Sequence, residues 1–154
     1  MLATSAMKSN DFRLTRLFRF EMAHALVGYD GMCSQIHGHS YRLEVTVGGL
    51  SVECAEGAKM GMAIDFGTIK EVVEREVIST FDHSLTLRLA PETEEVVEVL
   101  SRHFERIHAV EWQPTCENLL SHFAELIAPA LPDGARLLSL RLHETENNCA
   151  ELVL

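Results

Sequence analysis

Two stretches in which apolar and polar residues alternate constrain the fold of this chain more than any other feature. In the first stretch, Phe18, Phe20 and Met22 are separated by charged residues. The second stretch runs from Tyr41 to Val47 and has apolar side chains at every second position. Because successive side chains of a strand point to opposite faces of a sheet, each stretch predicts a β-strand with one buried face.

The rest of the chain predicts helices followed by further strands. Apolar residues at helical spacing predict a first helix over 67–79, a weaker one over 92–106, and a third that opens at Pro114-Thr115. Alternation returns in residues 138–142, and residues 150–154 provide a fourth strand. This order predicts an α+β fold in which helices pack on one face of a four-stranded antiparallel sheet.

The length and composition are those of a single folded domain. The chain has 154 residues, of which 47% are apolar and 23% are charged, so it can bury a core without disulfides or structural metal. No linker rich in Pro, Gly or Ser divides it. We predict a loose tail over 1–10 and one domain over 11–154, with a loop over 50–60 inside that domain.

The charge pattern and the lack of long apolar runs argue against several kinds of partner. The net charge is −10 and no cluster of Lys and Arg occurs, whereas nucleic-acid binding depends on clustered cations. No uncharged run approaches the ~20 residues of a membrane helix, and the N-terminus lacks the apolar core of a signal peptide. We therefore expect a cytoplasmic protein with no nucleic-acid or membrane partner. Its cysteines form no CxxC pair and are expected to be reduced thiols: Cys33, Cys54, Cys116 and Cys149.

The motif His37-Gly38-His39 is the strongest chemical pattern in the chain. Residues two apart on an extended backbone point the same way, so both imidazoles share one face. His24 has the same parity as the apolar residues of the first strand, so all three imidazoles converge if the two strands pair. Three nitrogens and an open fourth position are typical of a catalytic zinc site.

The alternative is that these are separate core histidines, each satisfied by its own hydrogen bonds. The other histidines of the chain form no comparable pattern: His83, His103, His108, His122 and His143.

Two further groups could carry out acid–base chemistry. Cys33 lies four residues before His37, and a thiol close to a divalent cation loses its proton easily, so it can act as a base or nucleophile. Asp82-His83 places a carboxylate beside an imidazole, which suggests an oriented acid–base pair. Adjacency alone is weak evidence, and taken by itself the pattern favours a charge pair at a helix end.

Glu144, Thr115 and Glu117 are candidate binding residues. Glu144 shares the parity of the apolar residues in 138–142, which predicts a carboxylate on a buried face, and such groups usually bind something. Thr115 is a good helix N-cap, and Glu117 is favoured in the first helical turn. That structural account is sufficient for Thr115, although it does not exclude a ligand role.

Six segments together resemble the 6-pyruvoyl-tetrahydropterin synthase / 6-carboxy-tetrahydropterin synthase family. They occur in the family's order and cover about Phe18 to Glu151: FRFEMAHAL, CSQIHGHSY, GMAIDF, FDH, PTCENL and HETENNCAEL. The resemblance implies a tunnelling fold (T-fold), in which a trimer closes its sheets into a barrel and two trimers form a hexamer. It also implies active sites between subunits and a pterin triphosphate as substrate.

Matched position by position, the resemblance also implies roles for individual residues. The Zn²⁺ ligands would be His24, His37 and His39. The catalytic base would be Cys33, with Asp82 and His83 as a relay for the second proton. The residues of the pterin pocket would be Glu144, which grips the amino-pyrimidine edge, together with Thr115 and Glu117.

Some positions depart from the family pattern. After the Asp-His pair the family commonly has x-x-Leu-Asn, whereas this chain has Ser84 to Leu87, so the local loop geometry is expected to differ. Residues 88–112 are longer and more acidic than in compact members. The retained Cys33 argues against the folate-linked subgroup, in which a Glu serves as the base.

Two reactions of 7,8-dihydroneopterin triphosphate fit this resemblance. One gives 6-carboxy-tetrahydropterin with loss of acetaldehyde and triphosphate, on the route to the queuosine base. The other eliminates triphosphate to give 6-pyruvoyl-tetrahydropterin. The short spacing of Cys33 from His37 is like that of compact microbial members, so the carboxy product is preferred.

Two other classes remain as alternatives. A non-catalytic zinc scaffold would keep the histidines without turnover, although the four residues Cys33, Asp82, His83 and Glu144 argue for activity. A cupin would add Glu44 as a fourth ligand. On a regular strand, however, Glu44 has the wrong parity, and a small β-barrel has no place for two amphipathic helices.

Overall fold

The two alternating stretches form the central pair of strands. The structure is a computed structural model that describes residues 12–49 and 57–154. The strands β1 (Leu14–Ala25) and β2 (His37–Gly48) are antiparallel, in a register that places His24 opposite His37. The tail predicted over 1–10 and residues 50–56 of the predicted loop lie outside the described residues.

The sheet has six strands and is mixed, whereas four antiparallel strands were predicted. Its order is β4-β3-β1-β2-β5-β6, and its outer strands are β3 (Ser84–Arg88), β4 (Ile107–Val110), β5 (Arg136–His143) and β6 (Cys149–Val153). The predicted four are β1, β2, β5 and β6, which pair antiparallel. The added strands β3 and β4 run parallel to β1 and to each other. At five and four residues they are too short to show a convincing alternation in sequence.

The three predicted helices are present. The first comprises α1 (Phe66–Val73), a π-helical turn (Glu74–Ile78) and α2 (Ser79–Phe81). The second is α3 (Glu94–His103), and the third is α4 (Cys116–Ile127). None of the helices in the described part of the chain is long and apolar enough to cross a bilayer.

The main core lies between one face of the sheet and the helices α1, α2 and α4. Its largest buried side chains include Phe20, Tyr41, Leu43 and Phe123, and the rings of Phe20 and Tyr41 stack with their centroids 5.1 Å apart. Burying one such side chain stabilises a fold by about 1.5–3 kcal/mol. This core supports the side of β1 and β2 that carries the three histidines.

Helix α3 does not share that face, so the prediction that all helices pack on one side is wrong for this element. Its Val97 packs in a second cluster with Ala25 and Leu87. Thr86, next to Leu87, faces Met22 in the main core through a 3.4 Å contact between its hydroxyl and the sulfur atom. Leu87 therefore points to the opposite face of the sheet, where α3 covers it.

A bulge in β5 changes the parity predicted for residues 138–142. Val47 pairs with Leu137 and Thr46 with Ser139, so one residue is skipped between the two pairs. As a result Leu137 is buried whereas Leu138 is only partly so. Beyond the bulge Leu140 and Leu142 keep the predicted face, and with it the direction of Glu144.

Candidate active site

The three predicted imidazoles lie together at the end of the β1–β2 pair. One ring nitrogen from each of His24, His37 and His39 can be chosen so that all three lie within 4.8 Å of one another. The Nε2 atoms of His24 and His37 are 3.2 Å apart. His24 is only 1% exposed, whereas His37 and His39 are half-buried. The cluster therefore has a closed side against the core and an open side.

Backbone carbonyls determine which nitrogen of two rings is free. The Nδ1 atoms of His24 and His37 lie 2.7 Å from the carbonyl oxygens of Pro114 and Gln35, respectively. A carbonyl only accepts, so each Nδ1 carries the proton and donates it. In the neutral rings each Nε2 then presents a lone pair, as in metal-bound histidines whose second nitrogen is held by an outer partner.

A cation between these nitrogens would resolve an otherwise unfavourable arrangement. Two lone pairs that face each other at 3.2 Å repel, and the Nε2 of His39 is buried without a hydrogen-bond partner. Two nitrogens bound at zinc distances in a tetrahedral site are expected about 3.3 Å apart. The donor set therefore fits a metal ion of the zinc type.

Burial favours the neutral form of these rings. It lowers the pKa of both His24 and His39, although the carboxylate of Glu144 acts in the opposite direction on each. A lowered pKa keeps the imidazole unprotonated, which is the form that binds metal.

Glu144 lies directly beside the histidine cluster. Its Oε1 is 3.5 Å from Nε2 of His24 and 3.7 Å from Nε2 of His39. The hydroxyl of Tyr41 donates to the same oxygen at 3.4 Å. Burial and then the charge of Glu144 raise the pKa of Tyr41, so this hydroxyl stays protonated and acts as a donor.

The start of α4 contributes to the same region. Thr115 is the N-cap and accepts from the backbone N–H of Asn118 at 3.4 Å, while Glu117 is exposed in the first turn. Between them, burial raises the pKa of Cys116 to about 12, and the charges of Glu144 and Glu117 add to this. Both carboxylates therefore act on the segment whose Pro114 carbonyl holds His24.

Cys33 lies in a short 3-10 turn, Met32–Ser34, between the two histidine-bearing strands. Its carbonyl accepts from the N–H of Leu26 at 2.8 Å, which fastens the turn to the end of β1. The thiol is partly buried and free.

Asp82 and His83 form a separate pair at the start of β3. Asp82 accepts from the N–H of Glu21 at 2.9 Å, and its Oδ1 lies 3.0 Å from Nδ1 of His83. Although burial opposes it, the hydrogen bonds from Glu21 and His83 lower the pKa of Asp82. These contacts join the pair to Glu21 rather than to the three imidazoles.

A groove of about 410 Å³ lies beside His83. Its walls come from the ends of β1, β2 and β3, and it is lined by Glu21, Met22, Ala23, Gly38, His39, Ser40, His83 and Ser84. Glu21, Ala23 and Ser40 alternate with the core-facing residues of β1 and β2, so the groove opens on the face of the sheet opposite to the three imidazoles.

Glu44 lies on the opposite face of the sheet, so it is not placed as a cupin ligand would be. Its Oε1 is 3.0 Å from Nε2 of His143 and 3.6 Å from Nη2 of Arg42. The structure therefore confirms the prediction that Glu44 has the wrong parity to serve as a cupin metal ligand.

Some residues of the site were not predicted. Tyr41 shares the parity of His37 and His39, so alternation could have revealed it. The carbonyls of Gln35 and Pro114 have no sequence signature, because any residue can supply a backbone oxygen.

The fold and the site together define an α+β protein with a three-histidine candidate metal centre beside a carboxylate. A family model described as 6-pyruvoyl tetrahydropterin synthase matches residues 13–153. The chain belongs to the 6-pyruvoyl tetrahydropterin synthase family, an enzyme family, and the resemblance stated from the sequence is confirmed.

Curated relatives match along almost their whole length. The chain is 32% identical over 142 residues to 6-carboxy-5,6,7,8-tetrahydropterin synthase of Rickettsia felis, covering 91% of this chain and 99% of the relative. It is 32% identical over 143 residues to the protein of the same name from Haemophilus influenzae, covering 91% and 97%.

Solved structures share the fold. A 6-pyruvoyl tetrahydropterin synthase from Caenorhabditis elegans has a TM-score of 0.67 at 21% identity, with 96% of this chain and 99% of that one covered. An uncharacterized protein from Wolinella succinogenes has a TM-score of 0.76 at 16% identity, with 94% and 99% covered. The tunnelling fold expected from the resemblance is therefore confirmed, with six strands in place of four.

Proposed function

We propose that this chain is a zinc-dependent 6-carboxy-5,6,7,8-tetrahydropterin synthase, a lyase acting on 7,8-dihydroneopterin triphosphate. The observation that carries the proposal is the meeting of three imidazoles, two of them with Nδ1 held by carbonyls, at the carboxylate of Glu144. The names of the curated relatives and the short spacing of Cys33 from His37 favour the carboxy product over 6-pyruvoyl-tetrahydropterin.

The metal would be held by His24, His37 and His39. Bound zinc supplies Lewis-acid polarisation of a substrate oxygen. Cys33, in the turn between the two histidine-bearing strands, takes a proton from the substrate side chain as the general base.

The other site residues bind the substrate or move its second proton. The carboxylate of Glu144 accepts from the N–H edge of the pterin ring, with Thr115 and Glu117 nearby on α4. His83 holds the second proton at its imidazole, oriented by Asp82.

One incubation tests the function. The zinc-loaded protein is mixed with 7,8-dihydroneopterin triphosphate, and the products are identified by mass spectrometry. We expect 6-carboxy-tetrahydropterin together with acetaldehyde and triphosphate. Formation of 6-pyruvoyl-tetrahydropterin would establish the alternative reaction, and a zinc-loaded protein that leaves the substrate unchanged would indicate a non-catalytic scaffold.

Glu144→Gln is expected to weaken pterin binding without removing the metal. An amide keeps the size of the side chain but loses the charge that strengthens its hydrogen bonds, which should cost about 2–4 kcal/mol of binding free energy. The measurement is the Kd of a non-reactive oxidised pterin such as biopterin, with zinc content determined in parallel. Glu146→Gln, an exposed change in the same turn, is the matched control. Unaltered pterin affinity in Glu144→Gln would show that Glu144 does not bind the pterin.

The edges of the sheet support the proposal of a trimer-based homohexamer. Strand β3 pairs with β1 only over Met22–Ala25, so within the described residues the edge of β1 over 14–21 has no partner on that side. At the far end of the sheet, β6 is an edge strand whose Val153 is 70% exposed. Free strand edges favour pairing with another chain, and a β6 from a second copy would cover β1.

We expect light scattering at micromolar concentration to report six times the chain mass, or three times if the trimers separate. A stable monomer would contradict this assembly.

The cytoplasmic location stays a prediction. Three cysteines, Cys33, Cys116 and Cys149, are free thiols, which agrees with a reducing compartment, while Cys54 lies outside the described residues.

A further inference from the structure

Arg106 binds the end of the helical segment that leads into Asp82 and His83. Its Nη2 donates to the carbonyls of Ser79 at 2.7 Å and Thr80 at 3.0 Å, and its Nε donates to the carbonyl of Asp82 at 2.9 Å. Carbonyls at a helix C-terminus lack intrahelical partners and attract cations. One planar guanidinium therefore binds three backbone carbonyls at the end of this helical segment.

The same residue also fixes the chain on the far side of His83. The backbone carbonyl of Arg106 accepts from the N–H of Leu85 at 2.9 Å. Arg106 thus holds Ser79 to Asp82 with its side chain and the start of β3 with its backbone. His83 lies between these two attachments.

His83 has an unusual backbone conformation that these attachments explain. Its φ is 58°, and among residues 12–49 and 57–154 it is the one non-glycine residue with a positive value. Such conformations persist where the surroundings over-determine them, and they cluster at functional sites. Glu21 adds two further restraints, since its carbonyl accepts from the N–H of His83 at 2.6 Å and its N–H binds the Asp82 carboxylate.

The restrained backbone determines what the His83 ring can do. The imidazole is 74% exposed, so packing does not orient it. Its Nδ1 faces Oδ1 of Asp82 at 3.0 Å, which leaves Nε2 as the nitrogen available to the groove. If the segment from Ser79 to Asp82 shifted, the contact between Nδ1 and the Asp82 carboxylate would loosen, and Nε2 would no longer have a fixed orientation.

We propose that Arg106 is a positioning residue for the Asp82–His83 pair, acting through the backbone carbonyls around it. The catalytic use of the pair rests on the proposed function, whereas the restraint of its backbone does not. The proposal also assigns a role to the acidic segment 88–112, whose strand β4 begins next to Arg106 and brings it to the helix end.

Arg106→Gln and Arg106→Lys test the proposal, with Arg102→Gln as matched control. Gln removes both the charge and the planar set of guanidinium N–H donors. Lys keeps the charge, but its single ammonium group cannot reach three carbonyls as a planar guanidinium does. Arg102 is an exposed residue of α3 that pairs with Glu98, so its change should leave all readouts as in wild type. The first readout is kcat and KM for 7,8-dihydroneopterin triphosphate. The second is hydrogen exchange of the His83 amide by NMR, which needs no turnover.

We expect Arg106→Gln to lower kcat by about 10- to 100-fold, the scale of a misplaced acid–base group, with KM and zinc content nearly unchanged. Arg106→Lys should fall between Gln and wild type. The His83 amide should exchange at least about tenfold faster in Arg106→Gln, as its local opening becomes easier.

A wild-type exchange rate in Arg106→Gln would overturn the proposal. A variant that loses kcat only in proportion to lost zinc or lost folded protein would also overturn it, because Arg106 would then serve general stability. If wild-type protein fails to turn over substrate while the amide responds as expected, the proposed function fails and the restraint by Arg106 stands.

Discussion

His37→Ala/His39→Ala protein is expected to contain almost no metal, whereas wild-type protein should hold about one ion per chain. The double change removes two of three nitrogen donors from a site in which the third, on His24, cannot hold zinc alone. These two positions suit the test because both are half-buried. His24 is fully buried, and alanine there would leave a cavity and an unpaired Pro114 carbonyl.

Activity should fall with the metal. Lewis-acid stabilisation amounts to several kcal/mol, so product formation should drop by about 10³-fold or more. Metal content is measured by elemental analysis of dialysed protein, and folding by circular dichroism. His103→Ala, an exposed change on α3, serves as the control. Wild-type metal content in the double variant would show that the cluster is a set of hydrogen-bonded core histidines.

Cys33→Ala is expected to separate chemistry from metal binding. In the proposed metal site the three imidazoles would supply all the protein ligands, and Cys33 is absent from the group of atoms that meet there. Zinc content and substrate affinity should therefore stay near wild type. Turnover should fall by roughly 10²-fold or more, the scale of a lost general base.

Single-turnover measurements with 7,8-dihydroneopterin triphosphate, together with zinc analysis, check this result. Cys149→Ala is the matched control, because Cys149 is an exposed free thiol on the edge strand β6. Loss of metal from Cys33→Ala would instead make Cys33 a ligand and the site structural. Full turnover would indicate that another group, such as the Asp82–His83 pair, acts as the general base.

Alternation along the backbone was enough to predict the central strands and the convergence of the histidines. Parity is a local property of an extended chain, so Phe20, Tyr41 and the imidazoles share one face wherever the strands pair. The same reasoning gave the correct direction for Glu144, although the bulge in β5 exchanged Leu137 for Leu138 on the buried face. The short strands β3 and β4 were not predicted, because four or five residues contain too few apolar–polar alternations to be recognised.

Long-range contacts decided the rest, since no local pattern encodes them. The proton on His24 is directed by the carbonyl of Pro114, 90 positions further along the chain. The conformation of His83 depends on Glu21 and Arg106, which come from β1 and from the segment before β4. Residue types near one another in sequence indicate which groups can react. Their orientation depends on backbone oxygens and on distant charges, which reach the site only when the sheet has formed.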